Sequence, residues 1–321
     1  MKVLLTGGAG FIGSHIAELL VEKGVPTVIV DNFSRGRTEN LDNIKNQVTI
    51  VEEDISSPAL IDIFDRERPT HVIHQAAQIS VRYSIENPLA DAQTNILGTL
   101  NLLECCRKYK VEKIVYASSA AVYGQQNGIL DEMATVKPAS SYGISKITSE
   151  KYIQLYGDID GLNYVILRYA NVYGPRQSIQ GDGSVTALFI DNLIRGKNPV
   201  IYGDGEQTRD FIFVKDVARA NYLALFSPGS ETLNISTNTA TTIKQLLEEL
   251  SGIIGINLKP TFAPNRPGDV RHSQLDNRKA QAYLGWEPLF SLRRGLIETC
   301  AYFVQHYKKY RSLDRYNYGV S

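Results

Sequence analysis

Short, unbroken apolar runs alternate with helical periodicity through the first half of the chain. Residues 2–6, 26–30, 48–51, 71–74, 113–117 and 164–167 read as strands. Between them, residues 11–23 place Phe11, Ile12, Ile16, Leu19 and Leu20 on one helical face, and 59–66, 88–109 and 141–156 continue the alternation. Runs that are apolar throughout, rather than at every second position, belong to strands covered on both faces. The pattern predicts an α/β fold, a doubly wound parallel sheet of Rossmann type. After about residue 170 the rhythm breaks: Gly174-Pro175, Gly181, Gly183, Gly203 and Gly205 punctuate short irregular strands. Helical patterns return at 185–195, 214–226, 242–252 and 292–307. The expected organisation is a sheet domain over 1–170 and a smaller α+β part over 171–321, some of whose segments return to the first. Residues 308–321, rich in Tyr and Arg, read as a peripheral extension.

Composition narrows the classes. The 321 residues carry 34 Lys+Arg against 34 Asp+Glu, so no whole-chain charge favours nucleic acid or an anionic membrane. No apolar run approaches the roughly 18 residues of a membrane span. Cys105, Cys106 and Cys300 have no metal-binding or disulfide-framework spacing, which predicts reduced thiols, a cytoplasmic chain and no metal. The apolar start at Val3 is interrupted by Gly7-Gly8 and reads as a first buried strand rather than a signal segment.

The candidate chemistry begins at Gly7, Gly10 and Gly13, which stand at GxxGxxG spacing between the first strand and first helix. Such glycines permit a tight turn, backbone approach to a pyrophosphate and close helix–sheet packing, and the helix N-terminus attracts the phosphates. Asp31 ends the second strand, where a carboxylate accepts both ribose hydroxyls of an adenosine and repels a 2′-phosphate. Arg35 and Arg37 stand nearby and would favour NADP, so these residues alone leave NAD a preference. Asp54 and Ile55, after the third strand, suit an adenine edge; His74-Gln75-Ala76-Ala77, ending the fourth, offers small residues beside a nicotinamide ribose. His71 and His74 read as core residues flanking a buried strand.

Tyr142 and Lys146 lie one helical turn apart. An ammonium beside a phenol favours the phenolate, which then takes a proton from an alcohol as hydride leaves the same carbon. Ser118 and Ser119 follow the fifth strand and offer hydroxyls to the reacting oxygen. There is no GxSxG elbow for a serine hydrolase and no HExxH.

Residues 6–13, Asp31-Asn32, Asp54, Asn95 with Gly98-Thr99, residues 118–124, 142–146 and 168–174 together resemble the extended short-chain dehydrogenase/reductase family, and within it the nucleotide-sugar 4-epimerases of the UDP-glucose type, to about residue 300. The resemblance implies Ser119, Tyr142 and Lys146 as the catalytic group and NAD as cofactor. It implies Phe11, Ile12, Asn32, Ser34, Gly36, Asn95 and Tyr169 as further cofactor contacts. It places Asn171, Arg209 and Arg266 at a substrate diphosphate, Asp269 at the uridine ribose, Val200 and Tyr202 at the uracil, and Val185 and Thr186 along the sugar–diphosphate wall. Taken singly, Arg209-Asp210 and Arg266 with Asp269 are also what surface ion pairs look like. Ser273 falls where a tyrosine restricts some members to UDP-glucose and UDP-galactose; a serine leaves room for an N-acetyl group.

Ala120-Ala121 stand where 4,6-dehydratases of the family carry Asp-Glu and the decarboxylases a glutamate. Neither alanine moves a proton, which leaves oxidation and re-reduction at one carbon. The expected function is an NAD-dependent UDP-sugar 4-epimerase acting through a transient 4-keto sugar. UDP-glucuronate 4-epimerisation is an alternative, although Ser178 stands where those members repeat an Arg. A net dehydrogenase or reductase, and a non-catalytic NAD sensor, are the others. The segments 88–109 and 141–156 are expected to pair with a second copy as a four-helix homodimer interface.

Overall fold

The computed structural model describes residues 1–179, 185–264 and 270–317, with side chains as far as 307. In chain order the first half comprises β1 (Val3–Thr6), α1 (Phe11–Glu22), β2 (Thr27–Asp31), β3 (Thr49–Glu52), α2 (Leu60–Glu67), β4 (His71–His74), α3 (Val81–Glu86), α4 (Pro88–Ala92), α5 (Gly98–Lys108), β5 (Lys113–Ser119), α6 (Ser141–Asp160) and β6 (Asn163–Tyr169). The second half adds β7 (Asn171–Tyr173), α7 (Val185–Ile194), β8 (Val200–Tyr202), β9 (Thr208–Arg209), β10 (Phe211–Phe213), α8 (Val214–Phe226), β11 (Glu231–Ile235), β12 (Thr241–Thr242), α9 (Ile243–Ile254), β13 (Thr261–Ala263), α10 (Arg278–Leu284) and α11 (Leu292–Asn317).

Seven strands form one parallel sheet in the order β11-β6-β5-β4-β1-β2-β3. Its direction of growth reverses between β1 and β4, which opens a crevice at the carboxyl ends of those strands. Successive strand residues serve opposite faces: Val3, Leu5, Ile73 and Val115 pack in one core, Leu4, Val72, Ile114 and Tyr116 in the other. Both faces are covered, which is why these strands read as continuous apolar runs. At about 1.5–3 kcal/mol per fully buried large apolar side chain, these two layers carry most of the sheet's stability. A third core, including Phe189, Ile201, Phe211, Phe213 and Leu250, holds the second half together.

One feature departs from the sequence pattern. The segment 88–109 is not one helix: a wider π turn, Gln93–Leu97, separates α4 from α5. There the Asn95 carbonyl accepts the hydroxyls of Thr99 (2.6 Å) and Ser149 (2.8 Å), a local arrangement that apolar periodicity does not encode. The seventh strand, β11, comes from the second half and pairs with β6. It is fed by α8, which packs on α1 and β5.

Candidate active site

The turn from β1 to α1 needs its glycines for different reasons. Gly7 has φ +67°, and a Cβ there would stand 2.6 Å from the Ala76 nitrogen. A Cβ on Gly13 would stand 2.1 Å from the Gly7 carbonyl oxygen. At Gly10 the nearest atom would be the Gly7 carbonyl oxygen at 3.2 Å, a tight contact but a far milder one than at Gly7 or Gly13. Gly10 is also the N-cap of α1 and supplies no capping side chain. The first-turn N–H groups, beginning with Phe11 and Ile12, are thus left to an anion, and the space beside Gly10 is a cradle that a methyl group would fill.

Asp31, at the end of β2, accepts the N–H of Ala9 (2.9 Å) and of Phe33 (2.9 Å). Burial raises its pKa, and those two N–H groups oppose the rise. The loop beyond is tied to itself: Ser34 donates to Asn32 through nitrogen (3.0 Å) and hydroxyl (2.7 Å), and Asn32 donates to Asp54 at 2.6 Å. Burial works to raise the Asp54 pKa, but hydrogen bonds from Ser56 and Asn32 together hold it low. Gly36 has to lack a side chain because a Cβ would meet the Asp31 carboxylate at 2.7 Å. Arg35 is exposed, and Ile55 is buried over Gly98.

At the end of β4, His74 is a structural link of the site rather than an inert core residue. Its Nδ1 lies 2.7 Å from the Thr6 hydroxyl and its Nε2 3.0 Å from the Thr99 hydroxyl. Thr99 donates to Asn95 and Thr6 accepts from the Ala76 N–H (3.2 Å). Every member is satisfied only if Thr6 donates to Nδ1 and His74 donates from Nε2. Burial and, after it, the Lys146 charge drive the imidazole pKa down to about 3, so it stays neutral. Gln75 donates to the Tyr169 hydroxyl (3.0 Å) and to Asn221 of α8 (3.0 Å). Asn221 had no signal in the sequence, because it reaches this cleft from a helix of the second half. Ala77 follows on the same loop. The Asn95 amide donates to the Gln78 carbonyl (2.9 Å), Asp91 (3.1 Å) and Ser145 (3.1 Å), which ties the π turn to the catalytic helix.

Ser119, Tyr142 and Lys146 converge. Ser119 leaves β5, accepts the Ala121 N–H at 3.2 Å and stands beside the Tyr142 phenol, whose pKa it draws down. A Cβ on Gly143 would stand 2.6 Å from the Ala121 carbonyl oxygen, so this glycine allows α6 to approach the serine turn. The Tyr142 N–H donates to the Ser84 hydroxyl at 3.0 Å. Lys146 is buried and donates to the Ala117 carbonyl oxygen at 2.7 Å. Burial pulls the ammonium down to about 8, against the charges of Asp91 and Glu150. The expected lowering of the phenol pKa does not arise from the protein alone. Desolvation pushes Tyr142 up to about 12 and Asp91 adds to it, while the neighbouring Ser119 only partly opposes. At neutral pH the pair is therefore phenol and ammonium.

On the second half's side, Asn171 is exposed on β7 and its N–H donates to the Asp210 carbonyl oxygen at 2.8 Å. Asp210 is no surface ion-pair partner for Arg209. Its side chain is fully buried and accepts the Thr237 N–H and hydroxyl, both at 2.8 Å, and the Leu275 N–H at 3.3 Å. The carboxylate thus pins the chain just past β11 to the segment that carries Ser273, while the main-chain carbonyl of the same residue holds β7. Arg209 donates to the Thr208 carbonyl oxygen at 2.8 Å and is half-buried. Val185 and Thr186 open α7; Val200 and Tyr202 begin and end β8. Ser273 is half-buried between His272, which contacts the Thr208 hydroxyl, and Gln274, whose amide reaches Asn238. Arg266 and Asp269 lie outside the described residues. No metal-binding cluster occurs among the described residues, and none of their helices is long and apolar enough to cross a membrane.

The family model described as GDP-mannose 4,6 dehydratase matches residues 4–299. A putative UDP-glucose 4-epimerase of Methanocaldococcus jannaschii is 44% identical over 296 residues, covering 92% of this chain and 95% of that one. The crystal structure of a Thermotoga maritima UDP-glucose 4-epimerase with UDP-glucose superposes with a TM-score of 0.93 at 43% identity, over 96% of this chain and all of that one (100%). A Thermus thermophilus UDP-glucose 4-epimerase in complex with NAD gives a TM-score of 0.90 at 40% identity, covering 95% and 99%.

Proposed function

Because the chain belongs to the family described as GDP-mannose 4,6 dehydratase, within the extended short-chain dehydrogenases/reductases, we propose that its site interconverts UDP-sugars at C4′. It is an NAD-dependent isomerase, a UDP-glucose/UDP-galactose 4-epimerase working through a transient 4-keto sugar. The observation that carries this reading is the placing of Ser119 beside the Tyr142 phenol one helical turn from Lys146, with Ala120-Ala121, which move no proton, in the turn after the serine.

The cradle at Gly10 and the carboxylate of Asp31 fit a dinucleotide with free ribose hydroxyls. Gly7, Gly10, Phe11, Ile12 and Gly13 would hold its pyrophosphate, and Asp31, Asn32, Ser34, Arg35 and Gly36 the adenosine ribose. Asp54 and Ile55 would face the adenine, and Gln75, Ala76, Ala77, Asn95 and Tyr169 the nicotinamide half. When bound, NAD supplies the hydride acceptor and donor and one further positive charge.

Ser119 holds the reacting oxygen. With the added positive charge of bound NAD, Tyr142 would work as the phenolate: it accepts the 4′-hydroxyl proton and later returns one to the same oxygen. Lys146, as an ammonium, stabilises that phenolate before the proton is taken and after it is given back. The keto sugar turns over while its nucleotide stays anchored by Asn171, Arg209 and Arg266 at the diphosphate, Asp269 at the ribose and Val200 and Tyr202 at the uracil. Val185 and Thr186 line the wall along which the sugar swings. Arg suits this anchoring because its fork matches phosphate oxygens. The small side chain of Ser273 admits an N-acetyl group, which extends the substrates to UDP-GlcNAc and UDP-GalNAc.

The enzyme acts as a homodimer in the cytoplasm. Leu89 and Leu97 in the α4–α5 segment, and Ile144, Leu155 and Ile159 at helical spacing on α6, are exposed apolar residues that a second copy would cover. The three cysteines are unpaired and buried, as suits a reducing compartment.

Incubating the pure protein with a panel of UDP-hexoses, UDP-glucuronate included, and separating the products tests the function. UDP-glucose and UDP-galactose should reach a common mixture without accumulation of reduced nicotinamide. Stoichiometric reduced cofactor would mean a net dehydrogenase, and exclusive turnover of the uronate would overturn the hexose reading.

A further inference from the structure

Lys146 is 3% exposed and has three N–H bonds to place. The Ala117 carbonyl oxygen takes one at 2.7 Å. Among the described residues no carboxylate pairs with it. Asp91 on α4 accepts the amides of Gln78 (2.8 Å) and Asn95 (3.1 Å). Glu150 on α6 accepts Arg168 through both oxygens, at 3.0 and 2.6 Å, and Ser118 as well. His74 on β4 is neutral and adds no countercharge. A buried ammonium in such company tends to give up its proton.

What faces it is an aromatic ring. Tyr116 of β5 sets its ring centre 4.9 Å from Nζ, nearer than the Tyr142 ring at 5.8 Å and inside the range where a ring face attracts a cation. The residue is 1% exposed, so water does not weaken the attraction. Its hydroxyl lies near Ser149 but makes no hydrogen bond of normal geometry, and Ser149 donates instead to Asn95. The ring, not the hydroxyl, is the part in use.

We propose that Tyr116 is a positioning residue for the epimerisation: its ring face keeps Lys146 charged and aimed along the Tyr142–Ala117 side of the cleft. The inference rests on the roles given to Tyr142 and Lys146 above. It says why a cation with no salt bridge persists where the reaction requires one.

The test is the pH profile of kcat for the NAD-loaded, full-length protein and its Tyr116→Phe and Tyr116→Leu variants. Activity needs Lys146 protonated, so its loss of charge sets the alkaline limb. Tyr116→Phe keeps the ring and should leave that limb in place. Tyr116→Leu should move it about one unit towards neutrality, a tenfold loss of charged lysine at a given alkaline pH. A series of progressively fluorinated phenylalanines at position 116 holds the volume nearly constant and weakens the ring face, so it serves even if the leucine variant does not fold. The limb should then move further with each fluorine. An unmoved limb across that series, with Tyr142→Phe still inactive, overturns the role of Tyr116 alone; an active Tyr142→Phe overturns the reading beneath it.

Discussion

The Lys146 ammonium lies 5.8 Å from the centre of the Tyr142 ring, one turn away on α6. That places a charge near the ring without an ion pair to its hydroxyl. Removing the hydroxyl in Tyr142→Phe should cut kcat by about 10²–10⁴-fold, the usual worth of a positioned acid–base group. NAD affinity should change little. Equilibrium titration of the cofactor beside a product assay checks both; a variant that inverts sugars at full speed would end the proposed mechanism.

Ser273 is held half-buried by neighbours on β9 and by the Asp210 carboxylate through Leu275. Ser273→Tyr should lower kcat/KM for UDP-GlcNAc by at least about tenfold relative to UDP-glucose, since overfilling a packed site costs about 1–3 kcal/mol. Equal effects on both sugars would remove the serine from any role in size selection.

The glycines of the first loop should separate folding from binding. Gly13→Ala meets the Gly7 carbonyl at 2.1 Å and should lower the melting temperature measurably even without cofactor. Gly10→Ala has 3.2 Å to its nearest atom. It should lower the melting temperature less than Gly13→Ala does, yet bind NAD at least about tenfold more weakly, because its methyl group occupies the phosphate cradle. Parent-like NAD affinity would contradict the cradle.

Acid should destabilise the protein partly through His74. Its folded pKa of about 3 lies below the ordinary value of 6.5, so the unfolded chain binds the extra proton in between. The contribution is complete above about 6.5 and falls by about 1.4 kcal/mol per pH unit as pH drops towards 3. His15, lowered to about 4 by burial and then by the Arg176 charge, acts in the same direction. Asp210, raised to about 6 by burial, acts oppositely between its ordinary 3.8 and that value. Urea unfolding at several pH values should show a shallower acid slope for His74→Gln than for the parent. Parallel slopes would refute the buried neutral imidazole.

The exposed apolar residues of α6 give a test of assembly. Ile144→Lys with Leu155→Lys should convert a dimer to a monomer in sedimentation velocity while leaving far-ultraviolet circular dichroism unchanged. A parent protein that sediments as a monomer at micromolar concentration would remove the interface.

Much of this site is visible in the chain before folding because its parts are local. The glycine loop, Asp31, Ser119 and the Tyr142–Lys146 pair each sit at a strand end or on one helix turn, so spacing alone aligns them. Asn221, Asp91 and Tyr116 escaped notice for a different reason. Asn221 reaches Gln75 from a helix 146 positions away. Asp91 acts through the π turn at Asn95, which apolar periodicity does not encode. Tyr116 reads as one more apolar residue of a buried strand, and nothing local says that its face meets a cation. Asp210 carries no local signal of its buried role: an acid beside an arginine looks like a surface pair, whereas its partners, Thr237 and Leu275, are contributed by distant segments.

The pairing of β11 with β6 has a consequence for biogenesis. A nascent chain that has emerged only through the first six strands presents β6 as an open, hydrogen-bond-hungry border, and the piece that closes it is made more than sixty residues later. Truncation near residue 170 should therefore yield inclusion bodies rather than a cofactor-binding fragment, and on the ribosome that border needs shelter until the strand arrives.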